Sequence, residues 1–138
     1  NLSYGYAAQL TKNEEAAAYI EACRLNRNLH LCLYSYMDIA IHYDGATPEQ
    51  IGRFLENLGL GQHTNVETIY EYLVEEPCNY LKYYLGYLEF LSLKQKAKEL
   101  WGTDYSDYLF HKFVLETGPS DFRSLGEQLE KQNLGKQS

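Results

Sequence analysis

Residues 75–94 read Glu-Glu-Pro-Cys-Asn-Tyr-Leu-Lys-Tyr-Tyr-Leu-Gly-Tyr-Leu-Glu-Phe-Leu-Ser-Leu-Lys. Tyrosines fall at 80, 83, 84 and 87, the i, i+3, i+4, i+7 spacing of one helix face. Leu81, Leu85, Leu88, Phe90, Leu91 and Leu93 cover the other sides, and Lys82, Gly86, Glu89 and Ser92 form a thin polar strip. A helix apolar nearly all round is expected to be enclosed by other helices. A buried phenol needs a hydrogen-bond partner or a wet cavity. The stretch therefore predicts a helical core, or a helical core with a cleft cut into it.

Helix signals continue on both sides. Asn13 to Ile41 reads as one long helix through Ala16-Ala17-Ala18 and the apolar run from Leu29, broken by Asp44-Gly45. Thr47-Pro48-Glu49-Gln50 is a capping box with proline at the first helical position, and that helix stops near Gly59. Thr64-Asn65-Val66-Glu67 offers a second box for a helix to about Glu75, ended by Pro77, because the residue before proline is pushed out of helical geometry. The tyrosine helix runs from about Cys78 to Leu100, with Lys94, Lys96 and Lys98 suited to its C-terminal end. Ser106 opens a fifth helix, stopped by Thr117-Gly118-Pro119, and Ser120 a sixth, to about Lys131. The expectation is all-α: about six helices in one helical domain over residues 1–131, a long tyrosine-rich central helix, and a polar, frayed tail at 132–138.

Composition narrows the function. The 138 residues are 45% hydrophobic, too apolar for disorder over most of the length. Twelve basic residues stand against 19 acidic ones, for a net charge of −7. That balance disfavours nucleic acid or an anionic membrane as partner, since both call for a basic face. No apolar run nears the ~20 residues that span a bilayer. Cys23, Cys32 and Cys78 lack CxxC spacing and read as buried thiols rather than a disulfide frame or zinc site. The chain opens at Asn1 rather than Met, so a piece of a larger or processed protein is expected.

Chemistry-bearing residues are few. Asp38 and His42 are four apart at the end of the first long helix and share a face. There the carboxylate could fix the imidazole tautomer, presenting it to a cleft; a histidine capping a helix C-terminus is the plainer alternative. His30 and His63 look incidental. His111, within Leu109-Phe110-His111-Lys112-Phe113, reads as a packed core group. No HExxH, CxxC, Gly-rich phosphate loop or GxSxG elbow occurs, so the chain alone carries no self-sufficient catalytic set.

Three stretches, taken in order, resemble a known family. Asp38-Ile39-Ala40-Ile41-His42-Tyr43-Asp44-Gly45-Ala46-Thr47-Pro48-Glu49-Gln50 is similar to a "D-I-G-I-H-x-x-G-W-[ST]-x-E-Q" segment. Pro77 with Tyr83 and Gly86 resembles "P-x-x-x-x-x-Y-x-x-G". Phe110-His111 with Leu115 and Gly118 resembles "F-H-x-x-L-L-x-x-G". The set resembles the C-terminal portion of the bacterial domain-of-unknown-function family 885, of the zincin metallopeptidase superfamily, and most its Firmicute-type members. The resemblance covers about residues 2–130 and departs at Ala40, where the pattern has Gly, and at Ala46, where it has Trp.

What the resemblance implies goes further than the residues. The parent would be a long helical protein, exported or held at the cell envelope, with a cytoplasmic location as the alternative. Its zinc site would lie N-terminal to Asn1, and Leu2 to Leu10 would end the helix bearing the last zinc ligand. No cofactor is expected in this chain. Carried over by motif, His42 and Tyr83 would donate hydrogen bonds to an oxyanion or substrate, and Asp38 would orient His42. Gly86 would permit close approach. Tyr84, Tyr87 and His111 would line the cleft. The implied partners are the N-terminal remainder of the parent and a peptide substrate. The alternatives are a non-enzymatic helical interaction module and a pseudo-peptidase without metal. Apolar surface left exposed on such a piece favours a homodimer.

Overall fold

Five helices begin where a side chain accepts a hydrogen bond from an otherwise unpaired backbone N–H. The computed structural model describes residues 2–136, and every regular element in them is helical. The order is α1 (Leu2–Leu10), α2 (Glu14–His42), α3 (Pro48–Asn57), α4 (Val66–Glu75), α5 (Asn79–Trp101), α6 (Asp107–Thr117) and α7 (Phe122–Lys136). Short 3-10 turns occupy Gly61–His63 and Gly102–Asp104. Six of the seven are the helices expected from the residues, and α1 lies where the resemblance put a helix end.

Caps explain the boundaries. Asn13 accepts from the Ala16 N–H at 3.1 Å. Thr47 and Gln50 form the reciprocal capping box, and Ser106 accepts from Leu109 at 3.2 Å. Two caps fall one residue from their expected place. Asn65, not Thr64, caps α4 by accepting from Thr68 at 3.2 Å, while the Thr64 hydroxyl donates back to the Leu60 carbonyl. Asp121, not Ser120, caps α7, accepting from the Ser124 N–H at 2.8 Å. In both, the shorter-range Asx geometry outcompetes the hydroxyl one residue earlier. Helix α7 also continues past Lys131 to Lys136; residues 137–138 of the expected tail lie outside the described residues.

The chain divides into two compact units, residues 1–85 and 86–138, with the division falling inside α5. In the first, α1 packs on α2, and α2 and α3 each pack on α4. Its core is Met37, Ile41, Ile51, Leu55 and Leu73, ringed by Tyr34, Phe54, Ile69, Tyr70 and Tyr80 among others. Tyr70 donates from its hydroxyl to the Ala46 carbonyl at 3.0 Å, so that half-buried phenol is satisfied. In the second, Leu93, Ala97, Phe110, Phe113, Leu125 and Leu129 are buried. Phe90 meets Phe122 edge-on at 4.9 Å, and Trp101 meets Phe113 edge-on at 6.1 Å.

Two expectations are corrected. The tyrosine helix is not enclosed: Tyr83, Leu85, Leu88 and Leu91 are exposed, and only Leu93 and Ala97 on α5 are buried. An all-round apolar helix needs neighbours on every side, and among the described residues those side chains of α5 are left uncovered. Nor are the thiols buried: Cys32 and Cys78 are exposed and Cys23 is half-buried, all three unpaired. Small size lets cysteine sit on either face of an amphipathic helix, so spacing alone did not fix its side.

Candidate functional site

Helix α2 turns Met37 and Ile41 into the core. The same turns carry Asp38 and His42. Asp38 is 1% exposed, and its Oδ1 lies 3.5 Å from His42 Nε2. The expected pairing is thus formed, over a distance long for a strong ion pair. Nε2 also lies 3.0 Å from the Leu73 carbonyl oxygen on α4. A carbonyl only accepts, so Nε2 carries the hydrogen and donates it to Leu73, with Asp38 a second, longer acceptor. The nitrogen left for chemistry is Nδ1. The His42 side chain remains about a third open, at 34%.

Asp38 Oδ2 is buried with no hydrogen-bond partner among the described residues, and so is Ser35 Oγ three residues earlier. Residues three apart share a face, so two unsatisfied oxygens stand in a row leading to His42. A buried polar atom without a partner costs stability. An unsatisfied carboxylate oxygen is uncommon in a core and calls for an explanation.

Tyr83 is exposed, with Lys82 Nζ 5.3 Å from its ring centroid. No hydrogen bond or ion pair joins Tyr83 to His42 among these described residues. At Gly86 an added Cβ would meet no atom of the described residues within 4 Å. Tyr84 and Tyr87 are half-buried on α5. His111 is half-buried on α6, its ring 5.9 Å from that of Phe110.

One cluster escaped the sequence reading. His30, set aside there as incidental, stacks on Tyr34 with centroids 4.2 Å apart, and both rings meet Tyr80. Tyr72 meets Tyr80 edge-on at 5.9 Å and accepts from Asn79 Nδ2 at 2.9 Å. Burial, then the charge of Arg27, lowers the His30 pKa. Burial, then the neighbouring Tyr72, raises that of Tyr34. The usable signal was the i, i+4 spacing of His30 and Tyr34; the partners on α4 and α5 are distant in sequence. These rings fill one another's faces and read as packing.

A second polar group lies in residues 86–138. Tyr105 donates to Asp107 Oδ1 at 2.5 Å, and Lys94 donates to Oδ2 at 2.9 Å. Burial alone would raise the Asp107 pKa, but those two donors outweigh it and lower it. The carboxylate is fully used. A groove of about 280 Å³ between α5 and α7 is lined by both signs of charge, and Lys96 already pairs with Glu130 at 2.6 Å. Neither offers an open reactive group.

Among the described residues, no three His, Cys, Asp or Glu side chains gather where they could hold a metal ion. The described residues thus offer no set that would hold the zinc implied by the resemblance. Nor, among them, is any helix long and apolar enough to cross a membrane.

The model of a bacterial family described as "Bacterial protein of unknown function (DUF885)" matches residues 5–129. No curated protein and no solved structure matches the chain.

Proposed function

The chain belongs to the bacterial family of unknown function DUF885, and on that premise we propose that it is a helical domain of a larger, peptidase-like protein. In this reading it forms one wall of the substrate cleft and catalyses nothing alone. Any zinc would be held by residues of the parent outside this chain. The observation that carries the reading is Asp38: a carboxylate 1% exposed, with one oxygen against a partly open histidine and the other unpartnered. Such an arrangement is poor as structural cement and well suited to fixing an imidazole.

The roles follow from what each group can do. Asp38 and the Leu73 carbonyl hold the His42 ring in its Nε2–H form. His42 then meets substrate through Nδ1, which in that form accepts a hydrogen bond instead of donating the one expected from the resemblance. Tyr83 keeps its hydroxyl on an exposed side chain, with no hydrogen-bond acceptor for it among the described residues, and offers it as a donor to the peptide or to charge developing on it.

The test is peptide hydrolysis by the intact parent. His42→Ala should lower kcat by roughly 10²–10³ if Nδ1 accepts a proton from the reacting groups in the transition state. A change in KM alone would reduce His42 to substrate binding; no change would remove it from the site.

A second reading, a non-enzymatic helical interaction module, is favoured by a different observation: Leu25, Leu29, Tyr36, Ile39 and Tyr43 form an exposed apolar row along α2.

A further inference from the structure

Ala18, Ala22, Leu25, Leu29, Cys32, Tyr36, Ile39 and Tyr43 are all exposed. Their separations alternate strictly between four and three residues. That is the 3.5-residue period of a left-handed coiled-coil seam, sustained from the second turn of α2 to its C-cap. The core of residues 1–85 uses other faces of the helix, through Tyr34, Met37 and Ile41. The exposed row is thus a second apolar face, which meets the surround of the core where Tyr36 stacks on Phe54, ring centroids 4.6 Å apart. Its larger members are 45–87% exposed.

Side-chain size grades along the row: alanine at its N-terminal end, leucine and cysteine in the middle, two tyrosines and an isoleucine at its C-terminal end. A parallel partner of the same sequence would stack tyrosine on tyrosine and leave a void between alanines. An antiparallel copy does the reverse. Centred between residues 30 and 31, it sets Ala18 against Tyr43, Ala22 against Ile39, Leu25 against Tyr36 and Leu29 against Cys32. Each large group meets a smaller or equal one, and every layer pairs an a-type with a d-type position. The positions flanking the middle and end of the seam are Asn26, Leu33 and Ala40 on one side and Asn28, Ser35 and His42 on the other. None is an acidic or basic residue that would repel its own copy at neutral pH. Glu21 is already held by Arg24 of its own helix at 2.5 Å. Covering the row removes about 600 Å² per copy, or about 1,200 Å² in all, the lower bound of a specific interface.

We infer that two copies of this chain associate through antiparallel pairing of their α2 helices, with a two-fold axis crossing between residues 30 and 31. The interface is isologous. It uses neither Tyr83 nor the buried Asp38, and it meets the cleft proposed above only at its edge, through His42.

Sedimentation velocity on the 138-residue chain tests it. The expected species has twice the 16.0 kDa mass of one chain. Leu29→Glu, a change on an exposed position, should weaken association by about thirtyfold or more, as losing a hot-spot residue does, with the far-ultraviolet circular dichroism unchanged. A monomer throughout the micromolar range overturns the inference, as does a dimer indifferent to Leu29→Glu. Should that variant lose its helicity, direction of pairing decides instead. In a background where Cys23, Cys32 and Cys78 are serine, Ala22→Cys chains mixed with Ile39→Cys chains should cross-link to each other. Bridges of Ala22→Cys chains among themselves would show parallel pairing and overturn it.

Discussion

Asp38 Oδ1 stands 3.5 Å from His42 Nε2, while the same nitrogen is only 3.0 Å from the Leu73 carbonyl. The shorter contact takes the hydrogen, so the buried carboxylate is the lesser of two acceptors. Removing its charge should therefore cost the chain little. Asp38→Asn, which keeps the shape, is expected to change unfolding free energy in urea by no more than about 1 kcal/mol, or to raise it. A loss of about 3–5 kcal/mol, the effect of breaking a tight buried pair, would make Asp38 a structural residue.

Leu73 contributes in a different way. Its side chain is fully buried in the core with Met37, Ile41, Ile51 and Leu55. Leu73→Ala should cost about 2–5 kcal/mol through lost burial and a residual cavity. Tyr83→Ala, on an exposed position, should stay within about 0.5 kcal/mol. Urea midpoints with unchanged slopes check both; similar losses at the two sites would contradict the core assignment.

The acid limb of stability should report Asp107. Its pKa is lowered because hydrogen bonds from Tyr105 and Lys94 outweigh burial, which acts the other way. A carboxyl depressed in the folded state contributes stability that is complete above the ordinary carboxylate range and is lost as pH falls through the folded value. Lys94→Met removes one depressing partner and leaves a partly buried carboxylate short of a donor. Thermal melts should drop by the equivalent of about 1–3 kcal/mol at neutral pH. The share of the acid loss owed to Asp107 should also shrink, because its folded pKa moves back toward the unfolded value. Parallel melting curves across pH would contradict that role.

How much of this was legible beforehand depends on the range of the interaction. Helix boundaries set by short side chains, such as Asn13, Thr47 with Gln50, and Ser106, were written in three- and four-residue spacings. Asp38 and His42 meet because both lie on one helix face. The Leu73 carbonyl could not be foreseen as the stronger partner, since it arrives from 31 residues away. The tyrosine helix misled for the same reason. Its composition reports what α5 is suited to contact, and its exposure depends on which neighbours the chain supplies. The seam on α2 was present in the spacing all along, masked by the core face whose residues alternate with it along the chain.

Tyr83 bears the central claim most directly, since its exposed hydroxyl can be removed without disturbing the core. The measurement is kcat for peptide hydrolysis by the intact parent carrying Tyr83→Phe, with its melting temperature as a control. The cleft role predicts a fall of roughly 10²–10³ with unchanged melting. Full turnover in the phenylalanine variant would contradict it.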